Sequence, residues 1–193
     1  MKVLKTGIDN VDGGIIAEAV KVLAEGGVVL YPTDTVYGLG ANIFDNKAVR
    51  RVFEIKKRNL LKPLSILVSD KMAIDVVAKT SNSQREIMDN YLPGPYTFIL
   101  EKQKIVPRVI TAGSSRVGVR VPDCSLACAL ARLFPITTTS ANISDKEVLA
   151  DPCEIIDQLD CEVDLVIDAG PVKSKRASVI VDLTRSNPKI VRR

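Results

Sequence analysis

The stretch GGVVLYPTDTVYGLGAN, residues 26–42, decides how this chain is read. Its paired glycines, Gly26 and Gly27, stop whatever precedes them. Val28, Val29, Leu30 and Tyr31 form a run too short for a helix, and its β-branched start suits a buried strand that Pro32 ends. Hydroxyls and glycines fill the loop that follows, residues 33–42. Upstream, Asp12 is placed to cap a helix reaching about Glu25, with Ile15, Ile16, Ala19, Val20 and Leu23 on one apolar face. Downstream, Asp45 caps a helix to about Lys57, with Val49, Val52 and Phe53 turned inward. Helix, buried strand and helix in close succession predict an α/β fold.

Beyond this stretch, strand patterns occupy residues 3–6, 64–68, 96–101, 117–121, 136–139, 165–168, 178–182 and 189–192. Further helices start at Ser69 or Asp70, at Ser81 or Ser83, at Asp123 or Ser125 (with Leu126, Leu130 and Leu133 on one face), and at Pro152. Hairpin-like spacings mixed among the alternating elements predict a twisted, mixed β-sheet with flanking helices. With no internal repeat or long linker, the whole chain, 1–193, reads as one domain.

Composition narrows the function classes. Apolar residues are 46% of the chain, enough for a core without disulfides, and at 4% aromatic that core is aliphatic. The four cysteines, Cys124, Cys128, Cys153 and Cys161, match neither a zinc ribbon nor a CxxC motif, and read as buried free thiols. The absence of histidine removes Ser-His-Asp and Cys-His catalysis and the common Cys/His metal sites. The N-terminus has no apolar signal core and no segment has the length of a membrane span, so the expectation is a cytoplasmic protein. A net charge of +4 says little, but basic residues crowd two stretches. One holds Lys47, Arg50, Arg51, Lys56, Lys57, Arg58 and Lys62. The other holds Lys173, Lys175, Arg176, Arg185, Lys189, Arg192 and Arg193. Brought together by the fold, they make an anion-binding face; left apart, they are solvated surface charge.

Phosphate chemistry has no P-loop here, and Gly38-Leu39-Gly40 lacks the third glycine of a dinucleotide fingerprint. Four clusters remain. The first, residues 31–40, offers hydroxyls and backbone amides to a small polar ligand, although by composition alone a plain strand-to-loop turn suffices. Lys56 and Arg58 lie two apart at a helix end and reach one phosphate cluster only if the chain leaves the helix there; the other reading is an exposed basic end. Thr137 to Asn142 is rich in uncharged donors and acceptors, but equally suits a turn. Ser178 and Arg192 bring a hydroxyl and a guanidinium onto neighbouring strands, or merely protect an edge.

The order of these clusters carries more than any one of them. YPTDTVYGLGA, Lys56-Lys57-Arg58 followed by Pro63-Leu64, and Leu92-Pro93-Gly94-Pro95-Tyr96-Thr97 stand in the order of motifs in the YrdC family. So do Val119-Arg120-Val121-Pro122, Ser140-Ala141-Asn142, Ser178-Val179-Ile180-Val181-Asp182 and the late Arg192. Over roughly residues 12–193 the chain resembles a short, single-domain member of that family. The resemblance implies a twisted α/β sheet enclosing a basic concave cavity. It also implies a nucleotidyltransferase activity: threonylcarbamoyl-AMP and pyrophosphate from L-threonine, bicarbonate and ATP, for threonylcarbamoyladenosine in tRNA. By position, Thr33, Arg120, Thr138 and Ser178 would meet threonine; Lys56, Arg58, Ser140, Asn142 and Arg192 would meet ATP. Mg²⁺ is expected through the ATP phosphates, with no protein metal site and no side-chain general base evident. A downstream threonylcarbamoyl transferase is the implied partner. The alternative is a module binding tRNA or double-stranded RNA without catalysis. Departures from the family pattern fall at Asn59, Arg116 and Asp145 and around Val148.

Overall fold

A computed structural model describes residues 1–8, 12–160, 163–174 and 176–192 of the protein. Cys161, Lys175 and Arg193, singled out in the sequence, lie outside the described residues. Among the described residues, four of the six helices start at a side-chain cap. Asp12 accepts the Gly14 N–H at 2.7 Å ahead of α1 (Gly13–Ala24). Asp45 accepts from Lys47 and Ala48 ahead of α2 (Asn46–Ile55). The single turn α3 (Ile74–Val77) follows Asp70, which accepts the Ala73 N–H. Ser81 and Gln84 close a reciprocal capping box on α4 (Asn82–Asp89). Helix α5 (Ser125–Leu130) starts at Cys124 with no side-chain cap, so the cap expected from Asp123 or Ser125 is not made, and α6 (Pro152–Leu159) starts at Asp151 with Pro152 in its first turn.

The strands are β1 (Lys2–Lys5), β2 (Val29–Tyr31), β3 (Gly38–Gly40), β4 (Ser65–Leu67), β5 (Ala78–Lys79), β6 (Tyr96–Lys102) and β7 (Arg116–Arg120). They continue with β8 (Ile136–Thr138), β9 (Leu165–Asp168), β10 (Val179–Asp182) and β11 (Lys189–Arg192). The expected mixed sheet is laid out as two. One has the order β1-β9-β2-β3; the other has β11-β10-β6-β7-β4-β8, with β5 beside β6. Parallel and antiparallel pairs occur in both. The sheets are joined where β3 meets β8: Leu39 N–H donates to the Thr139 carbonyl at 3.0 Å, and Thr137 N–H to that of Ala41 at 2.9 Å.

Both faces of β2 and β9 in the first sheet are covered, and residue alternation assigns them. Val28, Leu30 and Val166 join the larger core with Phe53, Ile66 and Val119. Val29, Tyr31, Leu165 and Ile167 join the second, against Ala19 and Leu23 of α1 and Leu126 and Leu130 of α5.

Three sequence expectations change. The loop at 33–42 contains β3, because Gly38 and Gly40 lie under the Tyr31 ring: a Cβ on Gly40 would stand 2.9 Å from that ring. Leu133 is 75% exposed, since α5 ends at Leu130. The cysteine expectation holds for Cys124, whereas Cys128 is half-buried and Cys153 exposed. Among the described residues, no helix is long and apolar enough to cross a membrane.

Candidate active site

The turn after β2 is closed by a single hydroxyl. Thr33 Oγ1 donates to the Val36 carbonyl at 2.7 Å and accepts the N–H groups of Thr35 and Val36 at 3.1 and 3.2 Å. This turn holds the Asp34 carboxylate and the Thr35 hydroxyl against Arg120, at the end of β7. Arg120 Nη2 is ion-paired with Asp34 Oδ1, and Nη1 donates to Thr35 Oγ1 at 2.9 Å. Arg120 Nε and Asp34 Oδ2 are buried with no partner among the described residues. Burial lowers the Arg120 pKa, while Asp34 raises it.

The end of α2 delivers a second guanidinium. Lys57 adopts φ 49°, the Arg58 N–H returns to the Phe53 carbonyl at 2.8 Å, and the Lys57 N–H returns to Glu54 at 2.9 Å. That is a Schellman closure with lysine in the left-handed position usually taken by glycine. The chain therefore leaves the helix between Lys56 and Arg58 and sends them different ways. Arg58 turns to the cleft, steadied by the carbonyls of Lys62 at 3.1 Å and Pro63 at 2.9 Å. Arg192 of β11 joins it, donating to the Ser178 carbonyl at 2.9 Å. Burial first, then a neighbouring guanidinium, lowers the pKa of each: Arg192 acts on Arg58, and Arg120 on Arg192.

Lys56 turns inward and is 1% exposed. Its Nζ donates to the Ser140 carbonyl, to the Asn142 carbonyl at 2.7 Å and to Asn142 Oδ1 at 3.2 Å. The Ser140 hydroxyl donates to the same Oδ1 at 2.6 Å, and the Asn142 amide donates to the Ile143 and Lys146 carbonyls. The Ser140–Asn142 turn is thus wrapped around one ammonium. Burial, then the charge of Arg58, lowers the Lys56 pKa to about 7, while its three oxygen acceptors favour the charged form.

These parts bound one open cleft of about 680 Å³, counting its mouth. Of the residues singled out in the sequence, Thr33, Arg58, Arg120, Thr138, Ser140, Ser178 and Arg192 line it. Lys56 and Asn142 are not on its wall; they stand behind it and shape Ser140. Among the described residues of the two basic stretches, only Arg58 and Arg192 line the cleft; Arg51 is paired with Asp164, and Lys62 with Asp145. The cleft also takes Tyr37 and Thr139, which the sequence placed in its clusters without a role, and Ser65 and Thr97, which it did not assign to the site. Thr97 Oγ1 lies 2.8 Å from Ser178 Oγ, across the pairing of β6 with β10. Its place in the Pro93-Gly94-Pro95 motif was the only signal for it. Asp145 has φ 68°, a backbone that favours glycine and that Asp tolerates better than most residues. Asn59 Oδ1 accepts the Leu61 N–H at 2.9 Å, and Arg116 lies 3.5 Å from Asp182.

A family model described as telomere recombination, Sua5/YciO/YrdC, matches residues 21–193. The chain belongs to the Sua5/YciO/YrdC family. A putative threonylcarbamoyl-AMP synthase of Methanocaldococcus jannaschii is 40% identical over 84% of this chain and 77% of that protein. The structure of P. abyssi Sua5 complexed with L-threonine superposes at TM-score 0.90 with 34% identity, over 99% of this chain and 56% of that one. E. coli YciO superposes at TM-score 0.91 with 33% identity, over 100% of this chain and 95% of that one. The chain thus spans little more than half of the Sua5 protein, and nearly all of YciO.

Proposed function

We propose that this protein is a threonylcarbamoyl-AMP synthase, forming its product and pyrophosphate from L-threonine, bicarbonate and ATP. The observation that carries this reading is a single cleft lined by Arg58, Arg120 and Arg192, with neutral hydroxyls between them. Relatives that share the fold are named for this activity, and one is complexed with L-threonine.

The threonine carboxylate pairs with Arg120, and its polar atoms meet Thr33, Thr138 and Ser178. The triphosphate lies toward Arg58, Arg192 and Ser140, whose turn Lys56 and Asn142 hold from behind. The threonine amine and bicarbonate give a carbamate and water. A carbamate oxygen attacks the α-phosphorus, the bond to the β-phosphate bridge breaks, and pyrophosphate leaves. The attacking oxygen is already anionic, so the cleft supplies position and positive charge rather than a strong base. The described residues lining the cleft include no carboxylate, which fits Mg²⁺ carried in on the phosphates. When bound there, Mg²⁺ neutralises phosphate charge. The product is an activated acyl adenylate, consumed by a transferase acting on tRNA.

Pyrophosphate release from ATP with Mg²⁺ and bicarbonate, with and without L-threonine, tests the reading. Threonine-dependent release is expected, weaker with serine. A folded protein releasing none under any condition fails as a synthase; RNA binding that collapses steeply with salt then favours the non-catalytic module.

A further inference from the structure

The three guanidinium groups of the cleft are not equivalent. Arg58 and Arg192 rest on neutral carbonyls of Lys62, Pro63 and Ser178. The carboxylate that acts on Arg58 is Asp145, whose side chain is 81% exposed and already bridged to Lys62 at 3.1 Å. Arg120 instead carries a dedicated counter-ion. The Arg120 side chain is 5% exposed, and that of its partner Asp34 is 13%. The second oxygen of Asp34 is buried and has no N–H partner among the described residues, so Arg120 is the group that meets its charge. Arg120 with Asp34 is therefore neutral as a pair, whereas Arg58 and Arg192 face the cleft without a buried counter-ion.

We propose that Asp34 is a specificity-determining residue that reserves Arg120 for the amino-acid carboxylate and leaves the phosphates to Arg58 and Arg192. A polyanion approaching Arg120 meets the Asp34 charge in a poorly solvated setting, where like charges repel strongly. A single carboxylate loses less, because its partner is one guanidinium already oriented by Asp34 and Thr35. Asp34 thus keeps phosphate groups from occupying the amino-acid end, and does so through charge rather than shape. The inference rests on the synthase reading for the identity of the amino acid, but the charge separation belongs to the cleft itself.

Calorimetric titration of the full chain with inorganic pyrophosphate tests it. The natural sequence should bind one pyrophosphate, indifferent to L-threonine. Asp34→Asn should gain a second pyrophosphate site that L-threonine competes for, with affinity there raised roughly ten- to a hundredfold. Asp34→Glu, which restores the charge, should return to one site. Thr35→Val removes the other side-chain hydrogen bond to Arg120 but leaves the charge, and should also keep one site. A single, threonine-insensitive site in folded Asp34→Asn overturns the proposal, and so does a second site in Thr35→Val. Should Asp34→Asn not fold, the natural protein still decides. The dianionic aminophosphonate analogue of threonine should bind at least about tenfold more weakly than threonine, and equal binding overturns the proposal. If threonine has no effect on any titration while the second pyrophosphate site appears, the synthase reading fails and the charge assignment stands.

Discussion

Two hydroxyl-rich turns line the same cleft and are held in opposite ways. The Thr33 turn closes on itself: every hydrogen bond of Thr33 Oγ1 ends within three residues. The Ser140–Asn142 turn is held by Lys56, which precedes it by 84 residues at Ser140 and 86 at Asn142. A turn closed by a neutral hydroxyl carries its own shape and does not respond to pH. A turn wrapped around a buried ammonium takes its shape from where the end of α2 sets Lys56, and its grip depends on a proton. The pairing suits the chemistry proposed. The self-closed turn holds Asp34 and Thr35 on Arg120, and the charged one sets a hydroxyl beside the phosphate end.

The largest test of this contrast is Lys56→Met, which leaves the Ser140 and Asn142 carbonyls without their donor. Threonine-dependent pyrophosphate release should fall about a hundredfold, because a misplacement of about 1 Å is enough for that. Full turnover by this variant breaks the account of the Ser140–Asn142 turn. Next is Thr33→Val, similar in size and unable to hydrogen-bond. Two N–H groups and one carbonyl lose their partner, so unfolding in urea should show a loss of about 2 kcal/mol, equal at pH 6 and pH 9. A loss that changes with pH would erase the distinction between the turns.

The smallest effect is the pH slope. The Lys56 pKa falls from its ordinary value of 10.5 to about 7 on folding. Between those values the unfolded chain binds more protons, so stability rises with pH through this window and is lost as pH falls through 7. The slope from one proton is at most about 1.4 kcal/mol per pH unit, and the three oxygen acceptors reduce it. Urea midpoints measured from pH 7 to pH 10 should climb in the natural protein and in Thr33→Val, and flatten in Lys56→Met. An equal slope in all three would assign the titration to another group.

Much of this molecule is legible in the sequence. The caps at Asp12, Asp45 and Ser81 start their helices through hydrogen bonds to the next few residues, and such bonds need no fold to be foreseen. The order of motifs gave the family, and seven of the nine residues singled out line the cleft. What escaped depends on distant partners. Gly38 and Gly40 argue against a strand until the Tyr31 ring that covers them is known. Leu133 continues the apolar spacing of α5 but lies beyond its last turn. Thr97 enters the cleft only because β6 pairs with β10.

The sequence alone determined most of the elements, the caps at Asp12, Asp45 and Ser81, the burial of β2 and the order of the site motifs. All of these rest on interactions within a turn or on side-chain period. The tertiary structure alone decided that Lys56 supports a turn while Arg58 faces the cleft, and that Asp34 neutralises Arg120 across 86 residues. Charge pairing is fixed by sheet register and by how the chain leaves a helix, and those follow from the packing of the whole chain.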